Sequence, residues 1–279
     1  MHASCLCGAI SWDVAGPLEW LSHCHCSRCR KAHGVGFASY GAAPADRFRL
    51  AGRDRLGRFE SSPGFDRCFC TRCGSVVPGD PVEGRVFVPA GNCDDDPGAR
   101  PLAHIFVGSK APWYEIADAL PRFDAFPPGV EAAVLPDRPP ADPPGATRGS
   151  CLCGAVAFRV EGTPFAARNC HCSRCRKQRS AAHCANLFVA ADGVRFTRGA
   201  DQLASYKVPD AKFFTHAFCR TCGGSLPRVD RERGFAVVPM GALDDDPGIR
   251  PQCHIFVGSK APWFEIADAL PRHDAYPPT

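Results

Sequence analysis

A chain of 279 residues, 45% hydrophobic and 22% charged with a net charge of +4, has room for one large domain or two ordinary ones and excludes wholesale disorder. Residues 1–127 carry 14 basic and 14 acidic side chains and residues 150–279 carry 17 and 12; that excess is too small to imply nucleic acid, though it would favour an anionic ligand. No run approaches the roughly 18 apolar residues of a membrane span, and the start, MHASCLCGAISWDV, lacks the basic and apolar regions of a secretory signal, so a cytoplasmic protein is expected.

In chain order, a C-x-C-G step (Cys5, Cys7) leads into AISWDV at 9–14, which alternates as a strand does. CHCSRCRK fills 24–31, FCTRCGS fills 69–75, and RVFVPA at 85–90 reads as a second strand. DDDPGARP at 94–101 precedes HIFVGSKAPW at 104–113. The spacing predicts a helix over 113–120, WYEIADAL, with proline before it to start the first turn and proline after it to stop. Trp113 would anchor that helix to the core. Residues 127–149, PPGVEAAVLPDRPPADPPGATRG, hold seven prolines in 23 positions and should be extended and semi-rigid.

Every one of these motifs then recurs. SCLCGAISWDV at position 4 returns as SCLCGAVAFRV at 150, and CHCSRCRK returns unchanged at 170–177. FCRTCGGS at 218–225, with one glycine read as added, FAVVPM at 235–240 and DDDPGIRP at 244–251 follow. The segment 104–128 matches 254–278 at 22 of 25 positions, including Trp263 and a second copy of the helix expectation. A tandem duplication is therefore expected: 1–126 as one β-rich domain, 127–149 as connector and 150–279 as a second, with one or two short helices in each.

In a reducing compartment, 18 cysteines point to metal ligation rather than to a disulfide framework. Seven recur in each copy. One C-x-C and one C-x-x-C-G make a closed four-sulfur site of structural type: Cys5, Cys7, Cys70 and Cys73, and again Cys151, Cys153, Cys219 and Cys222. A C-x-C step can place both sulfurs on one side of an extended strand, since side chains alternate. Three cysteines per copy remain: Cys24, Cys26 and Cys29, and Cys170, Cys172 and Cys175. Three thiolates leave a tetrahedral metal one open position and suit a soft sulfur ligand better than hydrolysis. Arg28, Arg30 and Lys31, with Arg174, Arg176 and Lys177, would offset the thiolates or greet an anionic thiol. A histidine (His25, His104, His171 or His254) completing a second structural site, and a dithiol redox pair, are the rivals. For His104 and His254 a buried, satisfied role is the default. Lys110 and Lys260 read as loop residues or anion ligands, and the DDD runs as solvated turns. Cys184, close behind the second C-H-C-x-x-C, has no partner in the first copy.

The order C-x-C-G, C-H-C-x-x-C-R-K, F-C-x-x-C-G and H-I-F-V-x-S-K-A-P-W resembles the glutathione-dependent formaldehyde-activating enzyme (GFA) or centromere-protein-V domain family, twice over. The resemblance implies a mainly β, Mss4-like fold with two zinc ions per copy, up to four per chain: one structural, on the four-cysteine set, and one on the three-cysteine set. It implies carbon–sulfur lyase chemistry, the reversible addition of glutathione to formaldehyde to give S-hydroxymethylglutathione, or a related thiol and aldehyde. Small-molecule partners, no membrane, no nucleic acid and two copies packed as a pseudo-dimer are expected. The alternatives are a zinc-stabilised binding module without catalysis, and a thiol or zinc redox sensor.

Overall fold

The computed structural model describes residues 1–278 apart from 138, 141, 143 and 144. It is mainly β, with 37% of residues in strands arranged as several small sheets. In the first copy, His2–Ser4, Ser11–Val14 and Phe48–Ala51 make an antiparallel three-stranded sheet. A five-stranded sheet runs Arg122–Phe123, Pro101–Ile105, Leu21–Cys24, Ala38–Pro44, Arg85–Pro89. Its Pro101–Ile105 strand is parallel to both neighbours. Leu56–Ser62, Phe65–Cys70 and Val76–Val77 form the third. The second copy repeats the scheme, with Arg228–Asp230 as an extra edge on its large sheet. The strands read from 9–14, 85–90 and 235–240 are present as Ser11–Val14, Arg85–Pro89 and Phe235–Pro239.

Among the described residues, α-helix is confined to α1 (Ser27–His33) and α2 (Ser173–Arg179), the ends of the two CHCSRCRK motifs. The helix expected over 113–120 does not form, nor does its copy. The carbonyls that a helix would bond internally are taken by side chains instead. Lys110 Nζ donates to the carbonyls of Ala111 and Tyr114, and Arg122 donates to those of Ile116 and Asp118. The Asp118 carboxylate accepts from the Leu120 amide, a local bond that competes with helix. The described residues of the connector form no helix, and the strand Thr147–Ser150 begins inside its last three residues, pairing with Ala157–Val160.

Side chains of each copy complete the core of the other. Trp263 and Phe264 pack with Trp12, Leu21 and Phe37, whereas Trp113 packs with Phe158, Leu187 and Val238. The two tryptophans are thus core anchors, but each anchors an irregular segment into the opposite copy. The cysteine turns meet reciprocally as well. A Cβ at Gly74, where φ is +74°, would stand 2.4 Å from Phe218, and one at Gly223, φ +70°, 2.4 Å from Phe69. Only glycine meets both demands. The register Phe69↔Val76 and Phe218↔Ser225, with Cys70 and Cys219 amides donating to the carbonyls of Ser75 and Gly224, puts Gly224 in the place of Ser75. The second glycine is a replacement, and the extra residue lies further on, before Phe235.

Lys31 Nζ lies 2.6 Å from the Asp244 carboxylate and bonds Ser150 Oγ; Lys177 Nζ lies 2.6 Å from Asp94 and bonds Ser4 Oγ. The first aspartate of each DDD run therefore pairs with a lysine of the other copy; the Asp244 side chain is buried in that pair, whereas Asp94 stays in the exposed turn that was expected. Asp246 and Asp96, the third of each run, pair with Arg250 and Arg100. The Lys31–Asp244 side chains are only 6% and 4% exposed. Lys31→Ala would leave Asp244 buried without its cation and should lower stability by about 3–5 kcal/mol in urea denaturation. Lys177→Ala should cost distinctly less, because Asp94 is 38% exposed and solvent can take over.

Candidate metal centres and the cavity beside the second

The four-cysteine sets assemble from two turns. Cys5 follows the strand His2–Ser4 and Cys7 lies in the turn after it, closed by the Gly8 amide donating to the Cys5 carbonyl at 3.0 Å. The C-x-C step is thus a turn, not an extended strand. Cys70 ends the strand Phe65–Cys70, and Cys73 precedes the left-handed Gly74, whose amide donates to the Cys70 carbonyl at 2.8 Å. Neighbouring sulfurs stand 3.6 Å (Cys5–Cys7) and 3.7 Å (Cys7–Cys70) apart, and 3.4 Å (Cys151–Cys153) and 3.8 Å (Cys153–Cys219) in the second copy. Four sulfurs each about 2.3 Å from one tetrahedral ion would be separated by about 3.8 Å. A disulfide would bring them to about 2.05 Å, and all 18 cysteines are free. The donor set and its spacing fit zinc.

The three-cysteine sets sit where a strand passes into a helix. Cys24 ends Leu21–Cys24, Cys26 caps α1 by accepting from the Cys29 amide at 3.4 Å, and Cys29 lies in the first turn. Cys170, Cys172 and Cys175 repeat this on α2. In each trio the sulfurs lie within 4.8 Å of one another, and no histidine or carboxylate joins the group among the described residues. Such crowding forbids full ionisation without a cation between the sulfurs. Cys172 is drawn down to about 3 by hydrogen bonds from Cys170 and then Cys175, and Cys175 is pushed up by the same neighbours. In the first copy Cys29 is drawn down by Cys24 and Cys26, and Cys24 is pushed up by Cys26 and Cys29. A divalent cation would let all three ionise.

The candidate histidines are engaged with each other. His25 Nε2 meets His104 Nδ1 at 2.8 Å, and His104 Nε2 meets the Asp118 carboxylate at 3.0 Å. His171, His254 and Asp268 repeat the chain at the same distances. His104 and His254 are the buried, satisfied histidines that were expected.

Of the six motif cations, Arg174 lines the cavity beside the second trio. Lys31 and Lys177 are committed to the opposite copy, as described. Arg30 and Arg176 donate to the carbonyls of His25 and Ser259, and Arg28 to those of Ser61 and Pro136. Lys110 and Lys260 cap carbonyls of their own segments. The side chains that do approach the sulfurs were not legible from spacing. In the first copy Arg67 donates to Cys29 Sγ at 3.4 Å. In the second, Gln178 donates to Cys184 Sγ at 3.4 Å, and Cys184 in turn donates to the Cys175 carbonyl at 3.1 Å, so Cys184 buttresses the trio.

The second trio opens on a cavity of about 750 Å³. Its cationic lining is Arg168, Arg174, Arg179, Lys212, Arg228 and Arg233, and no described carboxylate lines it. Arg233 lies 4.2 Å over the ring of Phe213, and Arg168 5.6 Å over Phe188, which fixes the rim as cationic and aromatic.

The sequence profile of the family described as "Glutathione-dependent formaldehyde-activating enzyme" matches residues 1–109 and 146–259. A Halomonas elongata protein named "Putative glutathione-dependent formaldehyde-activating enzyme" is 31% identical over 125 residues, covering 42% of this chain and 79% of that protein. A Rhodobacter sphaeroides protein of known crystal structure is 30% identical, with 37% of this chain and 97% of that one covered, at a TM-score of 0.30. At that TM-score the structural likeness adds nothing about the fold.

Proposed function

From the premise that the chain belongs to the glutathione-dependent formaldehyde-activating enzyme family, we propose that it is a carbon–sulfur lyase that joins a thiol to an aldehyde and releases it again. Glutathione and formaldehyde are the pair that membership points to. The observation that carries the reading is a trio of thiols, with no fourth protein ligand among the described residues, opening on a cavity lined by six cations, of which Arg228 and Arg233 pair with Asp230. Zinc on the four-cysteine sets would clamp the fold, and zinc on Cys24, Cys26 and Cys29 and on Cys170, Cys172 and Cys175 makes up to four per chain. Bound at a trio, zinc would supply a soft position that favours an incoming sulfur as thiolate.

The chain's own residues do the remainder. The arginines and lysine of the cavity attract an anionic thiol, and the aromatic rim excludes water from its stem. In the forward direction a sulfur–carbon bond forms as the carbonyl π bond opens, and the thiol proton ends on the new hydroxyl. Cations beside the trio stabilise the charge that develops on oxygen, and much of the gain comes from holding two small reactants together. Thiols add to formaldehyde without help, so binding and orientation carry most of the demand.

We further assign 1–126 and 150–279 as two domains joined by 127–149, packed as a covalent pseudo-dimer, which suits the ion pairs and tryptophans exchanged between them. No helix of the described residues is long and apolar enough to cross a membrane, and 18 free thiols suit the cytoplasm. Metal analysis with an assay of adduct formation from glutathione and formaldehyde tests the reading. Wild type should hold four metal ions. The Cys29→Ser, Cys175→Ser double variant should keep two, stay folded and lose turnover to the uncatalysed rate. Unchanged turnover in that variant would remove the enzyme reading and leave a binding module or sensor.

A further inference from the structure

The two copies differ where their trios face the sheet. His33 and Arg179 occupy the last position of α1 and α2. Tyr40 and Asn186 occupy the third position of the strands Ala38–Pro44 and Cys184–Ala190. Those strands pair with their cysteine strands in one register, Cys24↔Ala38 and Cys170↔Cys184. The four residues are therefore two pairs of counterparts. In the first copy His33 Nε2 and Tyr40 Oη are 2.9 Å apart and satisfy each other, and the Tyr40 ring packs against the cluster of Cys24 and Cys29. Protein side chains thus occupy the position beside that trio.

In the second copy the bridge is gone. Asparagine is too short to reach the helix, and both partners are left open. Arg179 is 4% exposed, with Nε and Nη1 buried and unpartnered, and Asn186 is 8% exposed, with Oδ1 buried and unpartnered. Both line the 750 Å³ cavity together with Cys170, Cys172 and Cys175. A buried guanidinium without an acid is costly, and native interiors seldom leave one unpaired. The exchange extends to the third element around the site. Arg67 of the first copy is replaced by His216, whose ring is engaged with the Cys73 carbonyl at 2.8 Å and Ser225 Oγ at 3.1 Å. The helix position also differs at the mouth: Arg28 is held by the Pro136 carbonyl at 2.9 Å, whereas its counterpart Arg174 lines the cavity.

We propose that the second copy holds the thiol-binding site, and that Arg179 and Asn186 are specificity residues that grip the ligand away from its sulfur. Arg179 takes a carboxylate, and the Asn186 amide oxygen accepts an N–H of the same ligand. The ligand class is a carboxylate-bearing amino or amido thiol. The Tyr40–His33 bridge keeps the first trio closed to it. This rests on the reading that a three-cysteine centre takes a thiol.

The test uses cobalt-substituted full-length protein and follows the sulfur-to-metal charge-transfer band as thiol is added, so no turnover is needed. The probes are glutathione and glutathione diethyl ester, which carries the same thiol without carboxylate charge. Wild type should bind glutathione at least ten-fold more tightly than the ester. In Arg179→Gln that ratio should fall to near one, with ester binding kept. Asn186→Tyr, which installs the first copy's residue, should weaken both thiols at least ten-fold with the metal count unchanged, and Cys175→Ser should abolish the thiol-induced change. Should Arg179→Gln fail to fold, the latter two variants decide. An unchanged ratio in Arg179→Gln, an equal loss of both probes there, unimpaired binding in Asn186→Tyr, or binding that survives Cys175→Ser overturns the proposal while a thiol-binding centre stands. If wild type binds neither probe, the reading of the centre falls first and takes the proposal with it.

Discussion

Serine in place of Cys73 should unfold far more than the turn it occupies. A structural zinc on four thiolates contributes roughly 10–16 kcal/mol of apparent binding energy in small domains. Total folding stability is about 5–15 kcal/mol, so loss of one clamp is of the same size as the whole. The geometry adds a route by which the damage spreads. The Cys73 carbonyl accepts from His216 of the other copy, and Gly74 beside it lies under Phe218. The Cys70–Cys73 turn is therefore also part of the seat of the second copy. We expect Cys73→Ser to lose one metal ion per chain, to lose near-UV circular dichroism from both halves, and to melt in a broad transition at least 20 °C below wild type. Cys222→Ser should behave alike. Cys29→Ser makes the contrast: its trio packs with few apolar neighbours, Ala38, Tyr40, Ile105 and Phe106 among them, so it should lose its metal and keep a cooperative transition. A Cys73→Ser protein that melts with wild-type midpoint and slope would show that the four-sulfur set is not a clamp.

Why the cysteine sets were legible and their surroundings were not has a physical reason. A metal site built on turns writes its ligands at short, fixed spacings, so C-x-C, C-x-x-C-G and C-H-C-x-x-C pick out the groups that the fold gathers. The duplication made each spacing visible twice. The helix misread at 113–120 shows the limit of such local signals. Its proline punctuation is helical, yet Lys110, Asp118 and Arg122 compete for the backbone, and Trp113 is pulled into the opposite core. No pattern within one copy announces a partner that lies in the other. The same holds for the cations. Lys31 and Arg28 stand beside cysteines in sequence but face the other copy or the connector, while Arg67 reaches Cys29 from a different strand and Arg179 lines the cavity of the second trio from the far end of a helix. The one signal in the sequence was the exchange of His33 and Arg67 for Arg179 and His216, and it becomes readable only once the strand registers align the copies.

Lowering the pH from 7.5 to 5 should strip most of the remaining stability from this fold, because its centre is built of neutral histidines. His25, His171, His183 and His216 are held down to about 3, 2, 3 and 3, and His33 to about 4, in each case first by burial. For His25, His171 and His183 the charges of neighbouring histidines push the same way. In the unfolded chain each takes up a proton near pH 6.5, whereas the folded chain does not until the values just given. Below 6.5 the unfolded state therefore binds more protons, and stability falls as pH falls. The slope is up to about 1.4 kcal/mol per pH unit for each histidine, so at pH 5 each costs about 2 kcal/mol and five together at most about 10. Stability is full above about pH 6.5 and is lost progressively towards pH 4 and below. Urea denaturation at pH 7.5, 6.5, 5.5 and 5 with metal in excess should show this decline. Protonation of cysteine ligands would also weaken the protein in acid, and His183→Phe separates the two causes. Phenylalanine is the residue that the first copy carries there, as Phe37, and both side chains are buried against Phe264. The variant should gain about 2 kcal/mol on wild type at pH 5 relative to their difference at pH 7.5, one histidine's share of the slope. If both proteins decline in parallel, His183 takes up its proton as readily folded as unfolded, and the acid weakness lies at other groups.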